Sequence, residues 1–122
     1  MAKIKHIALT TGDPDKAAAF YKEAFDMQEI RRSDNGAVFL TDGYINLAIL
    51  NYKTAATDAD VGPNGDNYDG IHHFGFQVES VKTIEEAADT TANSNTYGAV
   101  AESWIRDEEG YRVDISEGGW PI

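Results

Sequence analysis

Apolar residues in this chain fall into short alternating runs, interrupted by two stretches whose spacing is helical. The run from Lys3 to Thr11 alternates with a period of two, which predicts a half-buried strand. Asp13 then offers a side-chain oxygen as a helix N-cap, and Pro14 follows at the first helical turn, where its missing N–H costs nothing. The spacing predicts a helix from Pro14 to Phe25, then strands over Met27 to Ser33, Ala37 to Thr41 and Tyr44 to Asn51. Further on, the pattern predicts a strand from Ile71 to Glu79, a helix from Val81 to Thr91 capped by Ser80, and a last strand from Tyr111 to Ser116. Only Asn93 to Arg106 remains for two middle strands, so one of them is expected to be short or lost.

This order of elements repeats. His6-Ile7-Ala8-Leu9-Thr10-Thr11 and His73-Phe74-Gly75-Phe76-Gln77-Val78 share a pattern 67 residues apart. The same offset carries Asp13 onto Ser80, and Asp42-Gly43-Tyr44 onto Glu109-Gly110-Tyr111. Such self-similarity predicts a tandem architecture within one domain spanning 1–122. The first module covers about 1–52, the second about 71–122, and a linker rich in Gly, Asp, Asn and Thr spans 53–70.

Parity sorts each strand into two faces. Ile7 and Leu9 share one face of the first strand, and His6, Ala8 and Thr10 share the other. Ile45, Leu47 and Ile49 oppose Tyr44, Asn46 and Ala48. His72, Phe74, Phe76 and Val78 oppose His73, Gly75 and Gln77. Tyr111, Val113 and Ile115 oppose Arg112, Asp114 and Ser116. The apolar faces need cover, which Phe20, Tyr21 and Phe25 of the first helix and Ile84 and Ala87 of the second are expected to supply. The other faces combine small residues with His6, Asn46, His73 and Asp114, which suits a concave, partly open cavity.

Composition narrows the partners. An apolar share of 42% is that of a folded globule, and a net charge of -11 repels phosphate backbones and anionic lipid surfaces. Nucleic acid and membranes are therefore not expected as partners. Without cysteine, any metal would be held by His, Asp, Glu, amides or water. Met1-Ala2-Lys3-Ile4-Lys5-His6 has no apolar signal core, and no run approaches the length of a membrane span, so a cytoplasmic protein is expected.

The chain resembles the vicinal oxygen chelate superfamily of glyoxalases, bleomycin-resistance proteins and extradiol dioxygenases. The likeness runs from His6-Ile7-Ala8-Leu9 through Ala19-Phe20-Tyr21 and His73 to Asp107-Glu108-Glu109-Gly110-Tyr111-Arg112-Val113-Asp114-Ile115. That last segment is similar to the family's Asp-Pro-Asp-Gly-Tyr-x-Ile-Glu-Leu run, with Glu108 where Pro is usual. The resemblance implies an α+β fold of two tandem βαβββ modules whose curved mixed sheets enclose a cavity, the second module compressed. It also implies a divalent metal site, with His6 and His73 at the two histidine ligand positions and Asp114 where the family has a ligand glutamate. Asn46, in Ile45-Asn46-Leu47, matches the equivalent position of the first module. Asp114 is one methylene shorter than the family's Glu, Asn46 is a neutral and weaker ligand, and the strict repeat offset pairs Asp114 with Leu47 rather than Asn46.

Two imidazoles and a carboxylate form a facial set for Ni, Mn, Fe or Zn, leaving positions for water or substrate. Three functions follow from the resemblance: a metal-dependent lyase or isomerase of glyoxalase type acting on a small oxygenated substrate, a metal-free small-molecule binding protein of bleomycin-resistance type, and an extradiol dioxygenase. A homodimer is expected. Cationic groups for an anionic substrate could come only from Arg31, Arg32, Arg106 and Arg112 among the arginines. His72 is expected to point away from His73 as a packed or exposed strand residue, and Glu117 to be a strand-end charge unless a kink makes it a ligand. Asp58, Asp60, Asp66 and Asp69 read as a solvated loop, because an EF-hand opening at Asp58 would meet Gly62 and Pro63 at its fifth and sixth positions. Trp104, Trp120, Tyr44 and Phe39 are either core or the lining of an aromatic pocket.

Overall fold

A computed structural model describes residues 1–53, 68–97 and 100–122. Asp58, Asp60 and Asp66 of the linker lie outside these residues. The described elements are β1 (Lys3–Thr11), α1 (Pro14–Phe25), β2 (Gln28–Arg32), β3 (Val38–Thr41), β4 (Asn46–Asn51), β5 (Gly70–Gln77), α2 (Val81–Ala88), β6 (Asn93–Tyr97), β7 (Val100–Arg106) and β8 (Arg112–Ser116). They make two βαβββ modules. Their strands join edge to edge into one curved mixed sheet of order β2-β3-β4-β1-β5-β8-β7-β6.

Local chemistry places these elements close to where the pattern puts them, except that α2 stops at Ala88, short of the expected Thr91, where Asp89 turns left-handed. Asp13 accepts the Lys16 N–H at 3.1 Å and Ser80 accepts the Thr83 N–H at 3.2 Å, so both repeats start their helices with a side-chain cap. Both repeats also enter their fourth strand through an acidic turn with a left-handed glycine. Asp42 accepts Tyr44 and Ile45 N–H ahead of β4, and Asp107 accepts Glu109 and Tyr111 N–H ahead of β8. Gly43 has φ +93 and Gly110 φ +90, a region costly for any residue with a Cβ. The middle of the second module holds both strands, paired from Asn93 with Trp104 to Tyr97 with Val100, so neither is lost.

The modules meet where β1 pairs antiparallel with β5, while each first strand pairs in parallel with its own module's last strand. The registers align Thr41, Asn46, His6, Gly75, Asp114 and Trp104 in one row across six strands. Two irregularities interrupt the seam. Ile4 pairs with Phe76 but His6 with Gly75, and Ala8 pairs with His73 but Leu9 with Ile71. The second is a bulge at His72, which leaves that residue without an opposite number on β1.

The core is uneven. Ala18, Met27, Val38, Leu40, Leu47 and Ile49 form a buried cluster between α1 and the first module's strands, with Ile7, Leu9, Ala17 and Tyr21 packed against it. The expected α1 face is corrected by this packing. Small Ala17 and Ala18 let the helix lie close to the sheet, while Phe20 and Phe25 remain 56% and 65% exposed, Phe20 meeting Phe25 and Tyr21 edge to face and Tyr21 stacking on Phe25. α2 buries no residue: Ile84 is half-buried and Ala87 exposed, so the expected cover from this helix is slight. Among the described residues no helix is long and apolar enough to cross a membrane.

Candidate metal centre

The row across the sheet brings the four sequence candidates together on one face. His6, Asn46, His73 and Asp114 are all buried, at 3%, 2%, 6% and 0% exposure, so the expected partly open face is in fact covered. Donor atoms of His6, His73 and Asp114 lie within 4.8 Å of one another. His6 Nε2 is 3.2 Å from His73 Nε2, and His73 Nε2 is 3.1 Å from Asp114 Oδ2. His73 sits two residues from Gly75 on β5, diagonal to His6, which is why residues opposite different partners can converge.

Each donor group is also held from behind. Asn46 donates Nδ2–H to the Pro121 carbonyl at 2.8 Å, so its Oδ1 is the acceptor for His6 Nδ1–H at 2.9 Å. That fixes the His6 tautomer with a bare Nε2 toward the cluster. His73 Nδ1 meets His72 Nδ1 at 2.7 Å. The expectation that His72 points away from His73 is thereby corrected: the bulge breaks the strand's alternation at His72, and the two rings meet edge to face. Arg112 donates Nε–H to Asp114 Oδ1 at 2.6 Å and, more weakly, Nη2–H to Oδ2 at 3.4 Å, and Oδ2 is the oxygen that faces the cluster. Parity had already put Arg112 and Asp114 on one face, and the guanidinium also lies 5.0 Å from the Trp104 ring.

The remaining aromatic candidates separate. Trp120 stacks on His6 with ring centroids 4.7 Å apart and planes 8° from parallel. Phe39 pairs with Ala48 on the site's face, with Arg31 over its ring, whereas Tyr44 is exposed beneath Lys5. Glu117 accepts the Val81 N–H at 2.9 Å and so serves the start of α2 rather than the cluster.

Burial opposes ionisation of Asp114, yet hydrogen bonding to His73 and the charge of Arg112 outweigh it and hold the carboxyl at about 2. Burial lowers the His73 and His72 values below 6.5 despite the nearby carboxylate, and Arg112 pushes the same way. Both imidazoles are therefore neutral at pH 7, the form in which a histidine binds a metal. The donor chemistry, two neutral imidazole nitrogens and one carboxylate oxygen, fits a divalent ion of the Mn to Zn series.

The same shifts set an acid sensitivity. A folded state that keeps His72 and His73 neutral loses stability as pH falls below 6.5, where the unfolded chain takes up their protons. Asp114 contributes above about 3.8 and its contribution is lost as pH falls toward about 2. In chelator-treated protein, thermal midpoints should fall from pH 7 to pH 5 relative to a His72→Asn, His73→Asn double variant. That comparison cancels the general relief of negative charge on acidification. Parallel curves would refute the assignment of neutral histidines.

Comparison with known proteins places these observations. The family described as Glyoxalase/Bleomycin resistance protein/Dioxygenase superfamily matches residues 3–115. No curated protein sequence matches the chain significantly. Among solved structures, methylmalonyl-CoA epimerase from Mycobacterium tuberculosis has a TM-score of 0.69 at 11% identity, covering 92% of this chain and 85% of that one. A glyoxalase/bleomycin resistance protein/dioxygenase superfamily member from Vibrio splendidus has a TM-score of 0.61 at 14% identity, covering 94% and 97%. The 2,3-dioxygenase LapB from a Pseudomonas species has a TM-score of 0.66 at 18% identity. The match covers 93% of this chain but only 39% of LapB.

Proposed function

This chain belongs to the Glyoxalase/Bleomycin resistance protein/Dioxygenase superfamily, and we propose that it is a divalent-metal-dependent lyase or isomerase acting on a small oxygenated substrate. One observation carries the reading. His6, His73 and Asp114 each turn one donor atom to a common point while Asn46, His72 and Arg112 respectively hold the other. Outer partners of this kind orient metal ligands and fix their tautomers. Ni, Mn, Fe or Zn suits the set, and a bound ion would supply Lewis-acid polarisation of a substrate carbonyl or of vicinal oxygens. In this reading Asp114 supplies negative charge, Arg112 fixes the carboxylate, and Trp120 covers one face of His6. Asn46, offered by the sequence as a fourth ligand, is read here as the orienting partner of His6.

A second reading has its own support. Among the described residues no buried side-chain polar atom lacks a partner, and Arg112 already neutralises Asp114. That is what a metal-free small-molecule binding protein would need. Elemental analysis and calorimetric titration of chelator-treated protein with Ni, Mn, Fe(II) and Zn decide between the two. About one equivalent bound supports the metal reading, and silence across all four ions would hand the site to the binding protein. The ring-cleaving dioxygenase is the third reading, and the chain spans 39% of the LapB neighbour.

We place the protein in the cytoplasm as a homodimer. An outer apolar seam of Ile4 opposite Phe76, Ile7 opposite Phe74 and Leu9 opposite Ile71 supports the second copy, with Ile4, Phe74 and Ile71 each over 40% exposed. Sedimentation of the titrated samples at low micromolar concentration should give twice the mass of one chain, and a single-chain mass would end that proposal.

A further inference from the structure

The segment that follows β8 turns back over the proposed site. Ser116 donates its hydroxyl to the Gly119 carbonyl at 3.2 Å, and Gly119 takes φ +72, so the backbone reverses within four residues. Trp120 then lies under cover at 9% exposure, flat on His6. Its neighbours Glu117, Gly118, Pro121 and Ile122 are exposed, so one buried side chain and one carbonyl fasten this strap to the site.

The place that Trp120 occupies is built for a flat ring. Gly75 sits mid-strand in β5, where a Cβ would fall 2.6 Å from the Trp120 ring and 2.8 Å from the His6 side chain. A glycine inside a strand marks a close approach of another group. The slot has the Gly75 backbone on one side and the His6 ring face on another. At its rim the Asn46 Nδ2–H points at an oxygen, here that of Pro121. The indole lies parallel to the His6 plane, off the Nε2 edge that faces His73, so the slot adjoins the donor cluster without filling it.

We propose that this slot is the substrate's own position and that Trp120 is its resident stand-in: the ligand class is a planar ring bearing an acceptor oxygen, bound on His6 and Asn46 in competition with the strap. The inference rests on the reading of this face as a ligand site, and it deepens that reading by naming what the face takes. The ring stacks on His6 where the indole now stacks, and its oxygen replaces the Pro121 carbonyl at Asn46. Gly118 and Gly119 let the strap swing away. A strap closed about nine-tenths of the time would weaken the apparent affinity about tenfold.

Benzamide is a suitable probe, being a planar ring with a carbonyl oxygen. Cyclohexanecarboxamide carries the same oxygen on a puckered ring. In chelator-treated protein, Trp120→Ala should bind benzamide about tenfold more tightly than wild type and discriminate against cyclohexanecarboxamide. Adding Asn46→Ala should abolish the gain. In a Trp104→Phe background Trp120 is the only tryptophan, and benzamide should shift its emission to the red as the strap leaves. If Trp120→Ala proves misfolded by circular dichroism, Gly119→Ala keeps the indole but strains the φ +72 turn, and should raise benzamide affinity several-fold. Equal binding of the two amides, or no gain in either variant, overturns the proposal. Because these measurements are made without metal, they fail or succeed independently of the metal titrations, which the same variants also undergo.

Discussion

Replacing His73 with alanine should cost more metal affinity than any other single change at the site. The substitution removes one of the three donors that converge within 4.8 Å of one another. Changes in the partners that orient ligands typically cost ~10–100-fold, so loss of the ligand itself should exceed that range. His72→Ala should fall within it. Without an ion, Asn46 requires a proton on His6 Nδ1, so the close His6 Nε2 to His73 Nε2 contact needs the proton of His73 Nε2. To coordinate, His73 must carry its proton on Nδ1 instead, and His72 Nδ1 is the acceptor placed to receive that hydrogen bond. His72→Ala removes the acceptor, whereas His72→Asn retains one and should recover part of the affinity. Isothermal titrations of the three variants give the ranking, and an unchanged affinity in His72→Ala would deny His72 any orienting role.

Arg112→Met should be the most destabilising substitution at the site in metal-free protein. It leaves the fully buried Asp114 carboxylate without its cation, and breaking a buried pair from one side typically costs ~3–5 kcal/mol. A divalent ion at the cluster would restore positive charge beside Asp114 Oδ2. Saturating metal should therefore raise the thermal midpoint of Arg112→Met more than that of wild type. Equal shifts, or a variant as stable as wild type, would show that Asp114 does not depend on Arg112 for its charge.

Much of the site was legible from alternation alone. His6, Asn46 and Asp114 lie in the regular parallel pairings of β1 with β4 and β5 with β8, so parity carried each to the same face, and the repeat offset carried His6 and His73 to the same seam. His72 defeated parity because its bulge has no glycine or proline to announce it; the insertion shows only in the pairing of β5 with β1. Trp120 was singled out only as an aromatic, since its meeting with His6 depends on a reversal after β8 whose one signal is Gly118-Gly119. Phe20 and Phe25 misled by size. An apolar moment favours them, but a helix close to a sheet buries its smallest face, and here that is Ala17 and Ala18.

The unequal packing of the two modules gives the cluster a role in cohesion. Around α1 the side chains of Val38, Leu40 and Ile49 are wholly sequestered, while α2 hides none of its own. His6 belongs to the well-filled half, His73 and Asp114 to the sparsely filled one. Whatever is gripped by all three acts as a clasp between them, and because it favours only the folded chain, its binding energy adds directly to the hold of the weaker half on the stronger. Substitutions in β5, β8 or α2 that an empty protein could not survive would be tolerated when the clasp is shut, so the sequence freedom of the second module is set in part by occupancy.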